Sequence, residues 1–239
     1  MFSLRKGLLI AVAGLGVPWI TAGQEKPAIP IPDVIQKFAA NESELVKVRA
    51  SYTYRQDVRV QSLDKKNAVT GEHRVVSQFA PAASGNSIER VLEAPLDTLK
   101  GFGLTPQDMV DIRETQSAVL TTDEIEKYNV TYRDKENVNG TSCLVFDVKP
   151  KKVEKDQRYF EGRIWVEDRD YHIIKSNGKS VPDIQSNREE NLFPRFEMNR
   201  ELVDGYWFPK SIQADDTLQF SSGPQHIRQI TIFENYRKP

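Results

Sequence analysis

The residue types able to do chemistry are few in this chain, and their spacing does not suit the common reactions. His73, His172 and His226 fall in separate strand-like segments. They lack the short fixed spacing with which one element presents imidazoles to a metal. The single cysteine, Cys143, permits no intramolecular disulfide, no CxxC pair and no thiolate zinc cluster. Next to Leu144-Val145-Phe146 it reads as a small packing residue. The acid pairs Glu189-Glu190 and Asp215-Asp216 are adjacent, so on a strand their carboxylates point to opposite faces rather than facing each other across a cleft, as glycoside hydrolysis requires. No GxSxG elbow, Walker A loop, GxGxxG turn after a strand, HExxH or EF-hand loop occurs. The expectation is a protein that is not an enzyme, with no catalytic residue, no metal ligand and no cofactor. One charge cluster stands out, Lys149, Lys151, Lys152, Lys155 and Arg158, at the tip between two strand-like segments. It is either a solvated hairpin end or a landing site for anionic head groups or an acidic partner. The Asn-x-Ser/Thr triplets at Asn41, Asn129 and Asn139 matter only in a eukaryotic secretory route.

These residues need a scaffold, and composition bounds it. The chain has 239 residues, 38% hydrophobic and 28% charged, with mean hydropathy -0.54, as ordinary globular proteins have. Lys+Arg 33 against Asp+Glu 34 gives -1, without the basic excess that non-specific nucleic-acid binding draws on, so no nucleic-acid partner is expected.

The start of the chain addresses the compartment. Arg5 and Lys6 precede an almost wholly apolar run from Gly7 to Ile20, which ends in Thr21-Ala22-Gly23 before Gln24-Glu25-Lys26. That is the pattern of a secretory signal peptide over 1–23; the run is short for a membrane span and contains Gly14, Gly16 and Pro18. Gln24 stands where a lipidated cysteine would follow the small residues, so the chain is not expected to be a lipoprotein. Loss of Arg5 and Lys6 leaves 31 cations against the 34 acids, or -3. The expected product is periplasmic or secreted, with a Pro-punctuated linker over 24–32 and one domain over 33–239.

Within that domain Asp33 and Gln36 suggest a capped helix to about Glu44, with Val34, Ile35, Phe38 and Ala39 as its apolar stripe. From Leu45 the period becomes 2, with Val46, Val48, Ala50, Tyr52, Tyr54, Val58 and Val60 on one face, which predicts one long strand. Further alternating runs at Glu72–Ala80, Ser87–Glu93, Lys127–Asp134, Ser142–Lys149, Arg158–Glu167, Tyr171–Lys175, Arg195–Val203, Tyr206–Ala214 and Ile227–Tyr236 predict a mostly sequential antiparallel series. Asn139-Gly140 and Asp204-Gly205 are two-residue hairpin signals, and Thr105-Pro106-Gln107-Asp108 opens a short helix, with a weaker start at Thr121-Thr122-Asp123-Glu124. No repeat or second core interrupts the series. The fold class is α+β, dominated by a single large curved antiparallel sheet covered by a few helices.

Tyr159-Phe160-Glu161-Gly162-Arg163-Ile164-Trp165-Val166-Glu167, followed by Ile173-Ile174-Lys175, is similar to a signature strand pair of bacterial periplasmic proteins related to the lipoprotein carrier LolA. Phe193-Pro194-Arg195-Phe196-Glu197 and Asp204-Gly205-Tyr206-Trp207-Phe208-Pro209 resemble that family's C-terminal strand pair. The resemblance, which spans about 120 to 236, implies an incomplete β-barrel whose concave apolar face is covered by helices. It implies outer-membrane lipoprotein sorting less directly, because no residue of the transfer machinery can be matched. The function expected is binding or carrying of a lipid acyl chain or a lipidated protein in a concave cavity, lined by Val48, Tyr52, Tyr54, Val130, Tyr132, Leu144, Phe146 and Ile164. The alternative is a sensor or protein-interaction domain on the same scaffold without lipid cargo, and the oligomeric state is left open.

Overall fold

Period-2 patterning carries the chain through most of its length, and turn chemistry decides where it reverses. The structure, a computed structural model, describes residues 27–114, 120–154, 157–185 and 190–239. The expected signal peptide and the start of the linker lie outside the described residues, as do Lys155 and Glu189. The elements are α1 (Ile31–Ala50), β1 (Thr53–Leu63), β2 (Val69–Pro81), β3 (Ser87–Asp97), α2 (Pro106–Glu114), a 3-10 turn (Ile125–Lys127), β4 (Tyr128–Val138), β5 (Thr141–Pro150), β6 (Tyr159–Glu167), β7 (Ile173–Val181), β8 (Ile184–Gln185), β9 (Glu190–Asn191), β10 (Phe196–Val203), β11 (Tyr206–Phe220) and β12 (Gly223–Arg237).

Ten of the strands form one antiparallel sheet in the order β3-β2-β1-β12-β11-β10-β7-β6-β5-β4, and β8 and β9 form a small hairpin apart. The sheet is open, because β3 and β4 are edges. Asn139-Gly140 and Asp204-Gly205 both have positive φ and join Val138 to Thr141 and Val203 to Tyr206, the two-residue turns that suit strand twist. At about 4.8 Å per strand a flat sheet of this size would be roughly 45 Å wide. One hydrophobic cluster nevertheless runs from Tyr128 and Val148 to Tyr54 and Phe79 beneath α1, a helix about 10–12 Å across. The sheet therefore curves around α1 as the LolA-like resemblance implies, with an inner apolar face and an outer charged one.

Two boundaries differ from expectation. Helix α1 begins at Ile31 with Pro30, not Asp33, as its N-cap, and no side chain caps it. Its C-terminus reaches Ala50, so Val46, Val48 and Ala50 are helical and the strand begins only at Thr53. The helical face is Val34, Phe38, Glu42 and Leu45, all buried. Glu42 breaks that stripe in the sequence, and only its pairing partner on a distant strand lets it be buried. Strand β7 also runs past Lys175 to Val181. Its inward positions Ser176, Gly178 and Ser180 are small, and at Gly178 the Phe160 ring lies so close that a Cβ would stand 2.3 Å from it.

Candidate ligand-binding site

The inner face divides into two halves. Beneath α1, Phe38 meets Phe146 with ring centroids 5.8 Å apart, and Tyr132 adds an edge contact at 5.6 Å. Tyr54 stacks on Phe79 at 4.8 Å, and the Arg49 guanidinium lies 5.0 Å over the Tyr54 ring. Arg200 on β10 clamps the Glu42 carboxylate through both terminal nitrogens, Nη1–Oε1 at 2.6 Å and Nη2–Oε2 at 2.8 Å, with both side chains only 1% exposed. Bidentate pairing of this kind fixes orientation as well as charge. Asn41 adds bonds from Nδ2 to the carbonyls of Asp170 and Tyr171, so α1 is tied both to β10 and to the β6–β7 turn.

The residues expected to line a cavity are placed as follows. Tyr54, Leu144, Phe146 and Ile164 are buried in the cluster under α1, with Val130 and Tyr132 half-buried at its margin. Tyr52 is buried in a smaller cluster with Leu45 and Phe208, to which Val48, now on α1, contributes from the side. The Tyr52 hydroxyl donates to Asp204 Oδ2 at 3.0 Å.

The second half lies under the loop before α2 and under α2 itself. Val58, Val60, Val75, Leu218 and Ile227 form its floor, and Ile112 from α2 closes on them with Phe102, Leu104, Met109, Leu192 and Phe220 around the rim. Phe102 and Phe220 stack at 5.7 Å. Thr105 and Asp108 cap α2 reciprocally: Thr105 N–H donates to Asp108 Oδ2 at 2.6 Å, and Asp108 N–H donates to Thr105 Oγ1 at 3.1 Å. Asp108 Oδ1 also accepts from Asn191 Nδ2 at 2.5 Å, and Asn191 Oδ1 accepts from Arg158 at 2.8 Å. One end of the cover is thereby fastened through β9 to Arg158. Glu190, held below the usual carboxylate range first by the Ser221 backbone N–H, ties the β8–β9 hairpin to the β11–β12 turn.

This second half retains a cavity of about 40 Å³, lined by Val60, Leu104, Ile112, Leu218 and Ile227, with Asp108, Glu190 and Gln229 at its polar margin. It exceeds what one water needs and is far smaller than a ligand pocket, so a chain-like ligand enters only if the cover yields. Between the two halves buried polar side chains cross the inner face: Gln56, Thr231 and Gln229, with Gln229 Nε2 3.4 Å from Thr231 Oγ1. None of Phe102, Leu104, Leu192, Leu218 or Phe220 stands out in the sequence. The available signal was the Phe102/Leu104 alternation followed by Met109 and Ile112 at helical spacing, just beyond a glycine at positive φ (Gly101).

The remaining sequence candidates lie apart. His73 faces Asp97, and His226 faces Asp215, which also binds Arg228. Among the described residues no group of three or more metal-ligating side chains converges, and no helix is long and apolar enough to cross a membrane. Asp216 accepts instead from the backbone of Arg195 and Thr217. Cys143 is buried on the outer face with Val145, Trp165 and Ile174, and burial pushes its thiol up to about 12, which leaves it un-ionised and unreactive at neutral pH.

No family model matches the chain, and no curated protein matches it. Among solved structures the chain is similar to a LolA superfamily protein from Nitrosomonas europaea, at 12% identity and a TM-score of 0.39 over 89% of this chain and 94% of that one. It is similar also to a putative outer membrane lipoprotein-sorting protein domain from Vibrio parahaemolyticus, at 12% identity and a TM-score of 0.37 over 82% and 90%. A chain of the Pseudomonas aeruginosa MucA/MucB complex aligns at 12% identity and a TM-score of 0.22 over 82% and 94%. At this distance nothing about ligand or partner passes from them to this chain.

Proposed function

We propose that the protein is an exported, non-enzymatic binder or carrier of a lipid acyl chain or lipidated protein, whose apolar part enters beneath α2. The observation that supports this reading is the asymmetry of the inner face. The α1 half is packed and clamped by a buried ion pair, whereas the α2 half keeps a cavity under a nine-residue helix. Each buried methylene contributes about 0.8 kcal/mol, so ten give roughly 8 kcal/mol before the cost of association. A bilayer offers the same chain a similar gain, so uptake and release need no energy source in the protein. Tyr54, Val130, Tyr132, Leu144, Phe146 and Ile164, with Val48 and Tyr52 beside them, form an extension of the site that opens only if α1 lifts. Export to the periplasm or beyond rests on the basic and then apolar pattern of residues 1–23.

Native mass spectrometry of the gently purified, exported protein tests the reading. Expected is a mass increment of an acyl lipid, lost when Ile112→Trp fills the cavity of a folded variant. A protein that emerges empty and fails to take up a fluorescent fatty acid overturns it. One observation favours a protein-interaction module instead: the edge strand β3 exposes Ile88 at 58% and Leu96 at 51%, and an unpaired apolar edge is where an extended partner segment adds a strand. Under that reading the protein is empty, and Leu96→Lys abolishes binding of the partner protein.

A further inference from the structure

We propose that the outer face of the sheet carries a second site, independent of the acyl site, for a small soluble ligand bearing a dianionic phosphate group. An open hollow of about 470 Å³ lies over β4 to β7 and is lined by Arg133, Lys149, Arg163 and Arg195 against only two acids, Asp147 and Glu161, a balance of +2. Strand register assembles it. Asp147 pairs with Arg163, Arg163 with Asn177 and Asn177 with Glu197, one row across four strands, and Arg195 stands just before β10 at the end of the neighbouring row.

The charges within the hollow are unevenly satisfied. Asp147 accepts from Arg163 Nε at 3.0 Å on one oxygen and from Arg133 Nε on the other. Burial acts to raise its pKa, yet those hydrogen bonds outweigh it and hold the carboxyl below its usual range, so Asp147 is an anion that two guanidinium groups share. Lys149 Nζ is 3.6 Å from Glu161, beyond hydrogen-bond length. The Arg195 guanidinium has one side-chain contact among the described residues, Asn177 Oδ1 at 3.5 Å, although its backbone N–H donates to Asp216. Planar guanidinium forks suit phosphate oxygens, and a ligand that takes up Arg195 and Arg163 gains charge-assisted bonds while displacing little existing pairing. Asn177 and Arg195 also border an adjacent hollow of about 740 Å³, but there Glu197, Asp215 and Asp216 oppose Arg195 and Arg228, a balance of -1. The anion is thus confined to the β4–β7 side. A hollow of this volume is large enough for a single phosphate-bearing small molecule. Because Arg163 and Ile164 are consecutive on β6 and point to opposite faces, neither proposal depends on the other.

The test is calorimetric titration of the folded protein with inorganic phosphate at constant ionic strength, above the second pKa of phosphate. Expected is saturable binding that chloride and acetate do not reproduce, weakened at least about tenfold by Arg195→Ala, the loss of about one charge-assisted bond, and unchanged by Lys152→Ala on the exposed hairpin tip. Phosphate no better than chloride overturns the proposal, as does undiminished binding by a folded Arg195→Ala variant. Binding to phosphatidylglycerol vesicles without binding of free phosphate overturns it in favour of a membrane surface.

Discussion

The two halves of the inner face are built from the same materials, β-branched and aromatic side chains under a helix, and they differ in what fastens the cover. Helix α1 runs twenty residues, inserts Phe38 against Phe146 and is locked by Glu42–Arg200 with both groups out of water. Helix α2 runs nine residues, closes mainly through Ile112 and Met109 and is held by the Asp108–Asn191–Arg158 chain of neutral and charge-assisted bonds. Local opening follows the weaker fastening. One half of the apolar face is thus closed by a long helix with a buried ion pair, and the other by a short helix over a residual cavity.

The largest expected effect comes from breaking the α1 clamp. Glu42→Ala leaves Arg200 buried and unpaired, and costs about 3–5 kcal/mol, read as a lower urea midpoint. Replacing both partners with Leu and Met is close to neutral under the same rule. A small effect of the single variant would erase the distinction between the halves. Next, Phe38→Ala costs about 3–5 kcal/mol because the packed α1 half cannot collapse around the void, while Ile112→Ala falls near about 2 kcal/mol where the cover can settle. Equal losses would show the α2 half to be as rigid as the other.

Much of this arrangement is legible in the sequence, and what is hidden is hidden for identifiable reasons. The strand series is visible because alternation is local, and the Asn139-Gly140 and Asp204-Gly205 reversals are visible because the turn type demands positive φ. The true end of α1 is concealed by the alternation of Val46, Val48 and Ala50, which continues into β1 and mimics a strand although these residues are helical; the burial of Glu42 is concealed too, because its partner Arg200 lies 158 positions away. The sheet order is concealed as well. The β1–β12 pairing that puts Arg55 beside Glu234 joins opposite ends of the chain, and nothing in either strand names the other. The α2 half assembles from segments near 60, 104, 112, 192, 218 and 227, none periodic enough alone to declare a shared cavity.

An effect of intermediate size is expected in acid. Asp57 on β1 faces outward between Arg74 and Arg59, 2.7 and 3.1 Å away, and ties together the strands that floor the α2 half. Burial acts to raise its pKa, yet hydrogen bonds from Arg74 and Arg59 hold it down at about 2. A folded pKa below the unfolded value means that the stabilisation is fully present above about pH 4 and is lost as pH falls toward 2, about 2 kcal/mol in all. Asp57→Asn should remove that acid-limb slope. Hydrogen-exchange protection, taken relative to the intrinsic rate at each pH, should fall between pH 4 and 2 in β1 and β2 before α1 is affected; simultaneous loss would mean that the two halves unfold as one unit.

The smallest effect isolates the cover itself. Asp108→Ala removes the capping-box carboxylate and one hydrogen bond of the Asn191 amide, at a cost of about 1 kcal/mol. Because α2 is a nine-residue helix that takes no part in the strand pairing of the sheet, that loss should appear in the local opening of α2 and hardly in the global midpoint. Amide exchange over 106–114 should accelerate about fivefold, the rate equivalent of that free energy, while α1 amides keep their protection. If the acyl chain enters beneath α2, the same variant should take up and release a fluorescent fatty acid faster, with affinity little altered, since both steps pass through the opened state. Exchange that accelerates in α1 as well would make the covers a single cooperative lid, and entry by α2 alone would then be untenable.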